Sequence, residues 1–202
     1  MGPFIAVVDY GIGNLRSAEK GLCRAGADAR LVTSAADIAV ADGVVLPGVG
    51  HFGRCGEALV ASGLWEASLG AATGDRPFLG ICVGMQLLYE GSEEAPSVPG
   101  LAVFPGTVAL LAPHVRRPQM QWNLLEVRPE SRLLAGFEND AWAYFVHSYA
   151  APLGPETVAT CDYGGPVAAA AEKGSLFATQ FHPEKSSSVG LGVLANFVKA
   201  CQ

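Results

Sequence analysis

Cys82 stands between two glycines in the stretch Gly80-Ile81-Cys82-Val83-Gly84, with apolar residues before and after it. A thiol buried only for packing has no need of glycines at that spacing. A thiol displayed from a sharp strand-to-helix corner does, because small flanking residues let the chain turn tightly beneath an exposed nucleophile. A helix starting after Cys82 would also aim its first amides and its dipole toward the sulfur, which favours thiolate. A hundred residues on, the strand-like run LFATQF ends in His182-Pro183-Glu184. If that strand continues, His182 and Glu184 project to the same side, and Pro183 ends the hydrogen-bond ladder. His182 can then take the Cys82 proton, while Glu184 fixes the imidazole tautomer and stabilises its charged form.

A third piece is VVLPGVGHFG, a buried strand running into Pro47-Gly48-Val49-Gly50. Backbone N–H groups of Gly48, Val49 and Gly50 would lie at the carboxyl edge of the sheet, where open α/β folds bind ligands. One of them, with the N–H of Val83, would make an oxyanion hole for a tetrahedral intermediate. The Gly-rich segment is also suited to hold two backbone states. Each piece has a plainer reading: a packed cysteine, a surface histidine beside an acid, an ordinary βα turn. Their combination favours a triad.

The elements that must position these groups are legible from patterning. FIAVVDY reads as a strand, and LRSAEKGLCRAG as a helix, with Asn14 as N-cap and Leu15, Ala18, Leu22 and Ala25 on one face. ARLV and DGVVLPGVG are strands, CGEALVASGLWEASLGAA is helical, RPFLGI is a strand and VGMQLLYEG is helical. Strands alternating with helices imply right-handed crossovers and a mainly parallel sheet covered on both faces. After residue 100 the runs WNLLEV, WAYFVHSY, TVATCDY, PVAAAAEKG and LFATQF suit antiparallel additions, before a closing helix GLGVLANFVKAC. The expectation is a three-layer α/β fold in a single domain spanning residues 1–202.

Composition excludes several classes. The chain has 202 residues, 50% hydrophobic and 16% charged, with a net charge of −6, so it is globular and lacks the basic signature of nucleic-acid binding. Five scattered cysteines without a C-x-x-C argue against disulfides or zinc and for a reducing cytosol. The uncharged stretch VPGLAVFPGTVALLAPHV is broken by Pro99, Gly100, Pro105, Gly106 and Pro113, and reads as strand, turn, strand. No export signal is visible at MGPFIAVVDYG, which makes the expected location cytoplasmic. YGIGNLR places Arg16 where a dinucleotide loop needs its third glycine. His51, His114 and His147 have no metal-ligand spacing and read as solvated or core-satisfied, so neither a metal nor a cofactor is expected.

Together these residues resemble the class I, triad-type glutamine amidotransferases. The resemblance runs through DYGIGNLRS, LPGVGHFG, GICVGMQLLYEGSEE, PQMQWN, YFVHSY and ATQFHPEKSS to GLGVLANF, nearly the whole chain. It implies Cys82 as nucleophile, His182 as general base and acid, and Glu184 as the orienting carboxylate. It places Gly48, Val49, Gly50 and Val83 at the oxyanion and substrate site, with Gln86 near bound L-glutamine. DYGIGN, PGVGHFG and YFVHSY point to a glutaminase subunit of histidine biosynthesis that passes ammonia to a (βα)8-barrel synthase as its heterodimer partner. Asn14, Trp122, Tyr144 and Lys185 are expected at that partner interface, although the two aromatics also suit a core strand. The chain departs from the family pattern at Gln119 and Gln121, where His and Gly are usual, and in the basic run His114-Val115-Arg116-Arg117. The triad is untouched. Two other readings compete: the glutaminase subunit of a different amidotransferase, and a cysteine hydrolase or redox sensor sharing the elbow.

Overall fold

A computed structural model describes residues 2–137 and 140–202. The first half alternates: β1 (Phe4–Val8), α1 (Leu15–Arg24), β2 (Asp28–Val32), α2 (Ala35–Val40), β3 (Gly43–Gly48), α3 (Phe52–Ala61), α4 (Trp65–Thr73), β4 (Phe78–Cys82) and α5 (Val83–Gln86). The second half is mostly strand: β5 (Gly91–Ser92), β6 (Thr107–Leu110), β7 (Gln119–Leu124), β8 (Glu126–Val127), β9 (Trp142–His147), β10 (Tyr149–Ala150), β11 (Thr157–Asp162), β12 (Pro166–Lys173) and β13 (Leu176–Thr179). A 3-10 turn (Pro183–Lys185) and α6 (Ser187–Ala200) close the chain.

The main sheet has eight strands in the order β2-β1-β3-β4-β13-β12-β11-β8. β2, β1, β3, β4 and β13 run parallel, and β12, β11 and β8 are added antiparallel. β1 to β2 steps one way across the sheet and β2 to β3 steps the other. Right-handed crossovers therefore put α1 and α2 on opposite faces. The packing agrees: α1 lies against α6, and α2 against α4. Every residue of β3 and β4 is buried, as strands covered on both faces must be.

Register decides where the chemistry meets. Gly48 pairs with Cys82, and Thr179 with Ile81, so the carboxyl ends of β3, β4 and β13 lie side by side. Two small sheets sit apart from the main one: β10-β6-β5, and the pair β7-β9.

Several expectations are corrected. The single helix expected after residue 54 is two, because Gly63 takes φ +74° between α3 and α4. α2 is an addition to the expected elements, although Ser34 caps it by accepting from the Asp37 N–H at 3.1 Å, a Ser-x-x-Asp start signal. Strand, turn, strand over 98–115 reduces to the one strand β6. The helix after Cys82 is a single turn of four residues. Its few aligned peptides give the sulfur far less dipole than a full helix would.

Candidate active site

Cys82 ends β4 with φ 55° and ψ −110°, a conformation that an L-residue adopts at a cost of about 1–3 kcal/mol. Its neighbours explain the glycines. A Cβ on Gly84 would collide with the Leu46 carbonyl, and one on Gly80 would lie 2.8 Å from the Gly84 oxygen. The corner closes only because both side chains are missing.

His182 and Glu184 meet differently from the sequence expectation. β13 stops at Thr179, and the 3-10 turn, not strand alternation, carries Glu184. Pro183 has no N–H to extend the ladder, and its fixed φ suits the first position of a turn. His182 Nδ1 donates to Glu184 Oε1 at 2.8 Å, with both side chains almost fully buried. Ser186 locks this turn onto β9. Tyr144 N–H donates to Ser186 Oγ at 2.9 Å, Ser186 Oγ donates to the His182 carbonyl at 2.7 Å, and His182 N–H donates to the Tyr144 carbonyl at 3.0 Å.

Burial, the largest influence on His182, pushes its pKa down. Cys82 and Glu184 together outweigh it and hold the imidazole up at about 9. Nε2 is buried without a hydrogen-bond partner in this geometry and is the nitrogen left for proton transfer. The ordinary value is 6.5, so the charged pair stabilises the fold fully below about pH 6.5 and loses that contribution as pH rises through about 9. A cysteine mechanism with His182 as general acid would draw on the same imidazolium. We therefore expect kcat/KM to fall on the alkaline side with an apparent pKa near 9. Glu184→Gln should cost about 100-fold in kcat, less than removing His182, and move that limb to lower pH. A wild-type rate with an unmoved limb would take Glu184 out of the triad.

Cys82, Val83, His182, Val49, Gly50 and Gln86 line one cleft of about 380 Å³, and the exposed Asn14 and Lys185 also border it. Gly48 and Glu184 lie behind that wall, around a small void that Val49 and His182 also touch. Trp122 and Tyr144 do not line the cleft. They pair across β7 and β9 with ring centroids 6.1 Å apart, Trp122 45% exposed and Tyr144 half-buried. Met120, Leu124 and Trp142 extend this exposed apolar face, which only the β7-β9 pairing reveals.

Two side chains of the site, Gln180 and His147, escaped sequence reasoning. Gln180 Nε2 donates to Cys82 Sγ at 3.7 Å, and Gln86 Nε2 donates to Gln180 Oε1 at 3.1 Å and to the Tyr149 carbonyl at 2.9 Å. Gln86 thus reaches the sulfur through a second amide. His147, read from sequence as solvated or core-satisfied, lines the cleft. Its Nδ1 donates to the Tyr149 carbonyl at 2.9 Å, and Nε2 is buried without a partner. Burial, then the nearby His182 charge, lowers its pKa to about 4 and keeps it neutral. Alternation along WAYFVHSY, with Ala143, Phe145 and His147 buried, was the available signal. Among the described residues no cluster of His, Cys, Asp or Glu is arranged to hold a metal ion.

An elbow cysteine facing a buried His–Glu pair at the carboxyl edge of a mainly parallel sheet is the layout of a class-I amidotransferase. The family model "Glutamine amidotransferase class-I" matches residues 6–201, and the chain belongs to that family. It is 51% identical to "Imidazole glycerol phosphate synthase subunit HisH" of Deinococcus radiodurans, over 96% of this chain and 93% of that protein. It is 47% identical to the protein of the same name from Methanothermobacter thermautotrophicus, over 96% of this chain and 98% of that one. Among solved structures, one described as a glutamine amidotransferase matches with a TM-score of 0.75 at 21% identity, covering 97% of this chain and 98% of that chain. A putative GMP synthase component from Thermoplasma acidophilum matches with a TM-score of 0.73 at 20% identity, covering 100% and 94%. At such identities these two share the fold.

Proposed function

We propose that this chain is the glutaminase subunit of an imidazole glycerol phosphate synthase, with Cys82, His182 and Glu184 as its triad. The thiolate of Cys82 attacks the side-chain amide carbon of L-glutamine, and the developing oxyanion accepts hydrogen bonds from Val49 and Val83 N–H groups. The imidazolium of His182 gives its Nε2 proton to the amide nitrogen. The C–N bond breaks, ammonia leaves, and a γ-glutamyl thioester remains on the sulfur. His182 then deprotonates a water that attacks the thioester, the C–S bond breaks, and glutamate departs as the thiolate–imidazolium pair is restored. The observation that carries this reading is one cleft holding Cys82 beside His182, with exposed Asn14 and Lys185 at its border.

Ammonia released there is delivered to a (βα)8-barrel synthase subunit in the cytoplasm. The docking surface is the exposed face of β7 and β9, where Trp122 and Tyr144 anchor contacts flanked by Met120, Leu124 and Trp142. Among the described residues no helix is long and apolar enough to cross a membrane. The test is glutamine hydrolysis by the chain alone, with its synthase partner, and with partner plus the synthase substrate or product. Activity should be low alone and rise at each step. Trp122→Ala should weaken the complex by about 30-fold while the Tm stays within about 2 °C. A large drop in Tm with normal coupling would return Trp122 to a structural role, and a chain fully active alone would remove partner control.

A further inference from the structure

Two buried hydroxyls close on the carbonyls either side of the His182 Cα. Thr179, the last residue of β13, donates from Oγ1 to the Phe181 carbonyl at 3.0 Å. Ser186, just ahead of α6, donates from Oγ to the His182 carbonyl at 2.7 Å. Both residues are fully buried, and neither lines the catalytic cleft.

We infer that Thr179 and Ser186 are positioning residues that aim the His182 ring by fixing the two peptide planes that meet at its Cα. The inference rests on the reading of His182 as the acid and base of the triad. Each peptide unit is a rigid plane, so holding its polar atoms holds the whole unit. The Phe181–His182 plane is gripped at both ends. Thr179 holds its oxygen, and its N–H, that of His182, donates to the Tyr144 carbonyl at 3.0 Å. The His182–Pro183 plane has no N–H, because Pro183 lacks one, and can be held only through its oxygen. Lys185 N–H reaches that oxygen at 3.0 Å, but it lies in the same turn and would move with it. Ser186 Oγ is tied outside the turn, since it accepts from the Tyr144 N–H of β9 at 2.9 Å. With both planes set, His182 is held at φ −96° and ψ 98°, which fixes the direction of its Cα–Cβ bond.

The sheet does not do this work. The pairing of β13 with β4 and with β12 ends at Thr179, before the histidine is reached. The first turn of α6 can lie against the 3-10 turn only because residue 190 is glycine. A Cβ there would collide with the Pro183 carbonyl and lie 2.8 Å from the Ser186 Cβ.

Misplacement of a reacting group by about 1 Å can cost about 100-fold in rate, so loosening one plane should cost about 10-fold in kcat for Thr179→Val or Ser186→Ala. KM should stay within about twofold, because neither hydroxyl faces the cleft. Cys82 and Glu184 hold the imidazole up at about 9, so a ring that drifts from them titrates lower. The alkaline limb of kcat/KM should therefore move to lower pH. Thr179→Ser keeps the hydroxyl and should stay within about twofold of the wild-type kcat.

The experiment measures kcat, KM and the pH profile of kcat/KM for the complex with the synthase partner, with melting curves to monitor folding. Support is a lower kcat with KM unchanged, an alkaline limb moved to lower pH, and near wild-type behaviour in Thr179→Ser. Hydroxyls that only stabilise the fold would lower the Tm and leave the limb in place. An unmoved limb overturns the inference, whether or not kcat falls, and so does a Thr179→Ser variant as impaired as Thr179→Val. Valine suits a strand, so Thr179→Val decides the question even if Ser186→Ala does not fold. His182→Ala, run alongside, separates the two levels. If a folded His182→Ala chain keeps full turnover, the triad reading fails. If it collapses while Thr179→Val and Ser186→Ala keep the wild-type rate and limb, only the positioning inference fails.

Discussion

Cys82→Ala abolishes glutamine hydrolysis, by about 10^5-fold or more, while the complex with the synthase partner still uses free ammonium. The first effect follows because no other group in the cleft can form the thioester. The second follows because only ammonia production is lost, and the synthase chemistry belongs to the partner. The backbone adds a result that packing alone does not give. At φ 55° and ψ −110° the corner is strained for any residue with a Cβ. Cys82→Gly should therefore be equally inactive yet more stable, by about 1 kcal/mol, which for a domain of this size raises Tm by about 2–4 °C. A Gly variant that melts below wild type would show that the elbow stores no strain. Glutamine turnover near the wild-type rate in Cys82→Ala would sink the nucleophile assignment.

His182→Ala should lower kcat by about 10^4-fold or more, because the same ring activates the sulfur, protonates the leaving ammonia and deprotonates the water. The Gln180 amide remains on Cys82 Sγ at 3.7 Å and can orient the sulfur, but it carries no exchangeable charge to replace the imidazolium. A loss matching Glu184→Gln in size would mean that His182 acts only through that carboxylate. A rate within about 10-fold of wild type would point to another base, with His147, the other imidazole lining the cleft, the candidate.

The parts of this site legible in the sequence are those that demand a particular residue type. G-x-C-x-G announced the elbow, because no other residues fit between the Leu46 carbonyl and the turn at Gly84. β3, β4 and β13 were legible because strands buried on both faces are continuously apolar. The groups that escaped are assembled by pairing across the chain. Nothing local tells that Tyr144 of β9 will bond Ser186 and His182, or that Gln180 will meet a sulfur at position 82. The apolar face of β7 and β9 was only half visible, since Met120, Trp122 and Leu124 form a surface only once Val146, Tyr144 and Trp142 lie opposite them. The helix expected after Cys82 failed for a related reason. VGMQLLYEG has the apolar content of a helix, but Leu87 accepts from Leu101 N–H at 2.6 Å and Leu88 from Val103 N–H at 2.8 Å, bonds to a distant loop that end the helix after one turn.

The central claim is that one sulfur, Cys82, carries the glutamyl group. A chloroketone analogue of glutamine alkylates the thiolate that would form the thioester, so mass analysis of the cysteine-containing peptides tests the claim directly. With the synthase partner present, the account predicts about one adduct per chain, located on Cys82, and loss of glutaminase activity in proportion to labelling. Cys23, Cys55, Cys161 and Cys201 should remain unmodified. Complete inactivation with Cys82 unlabelled, or full activity with Cys82 labelled, would contradict it.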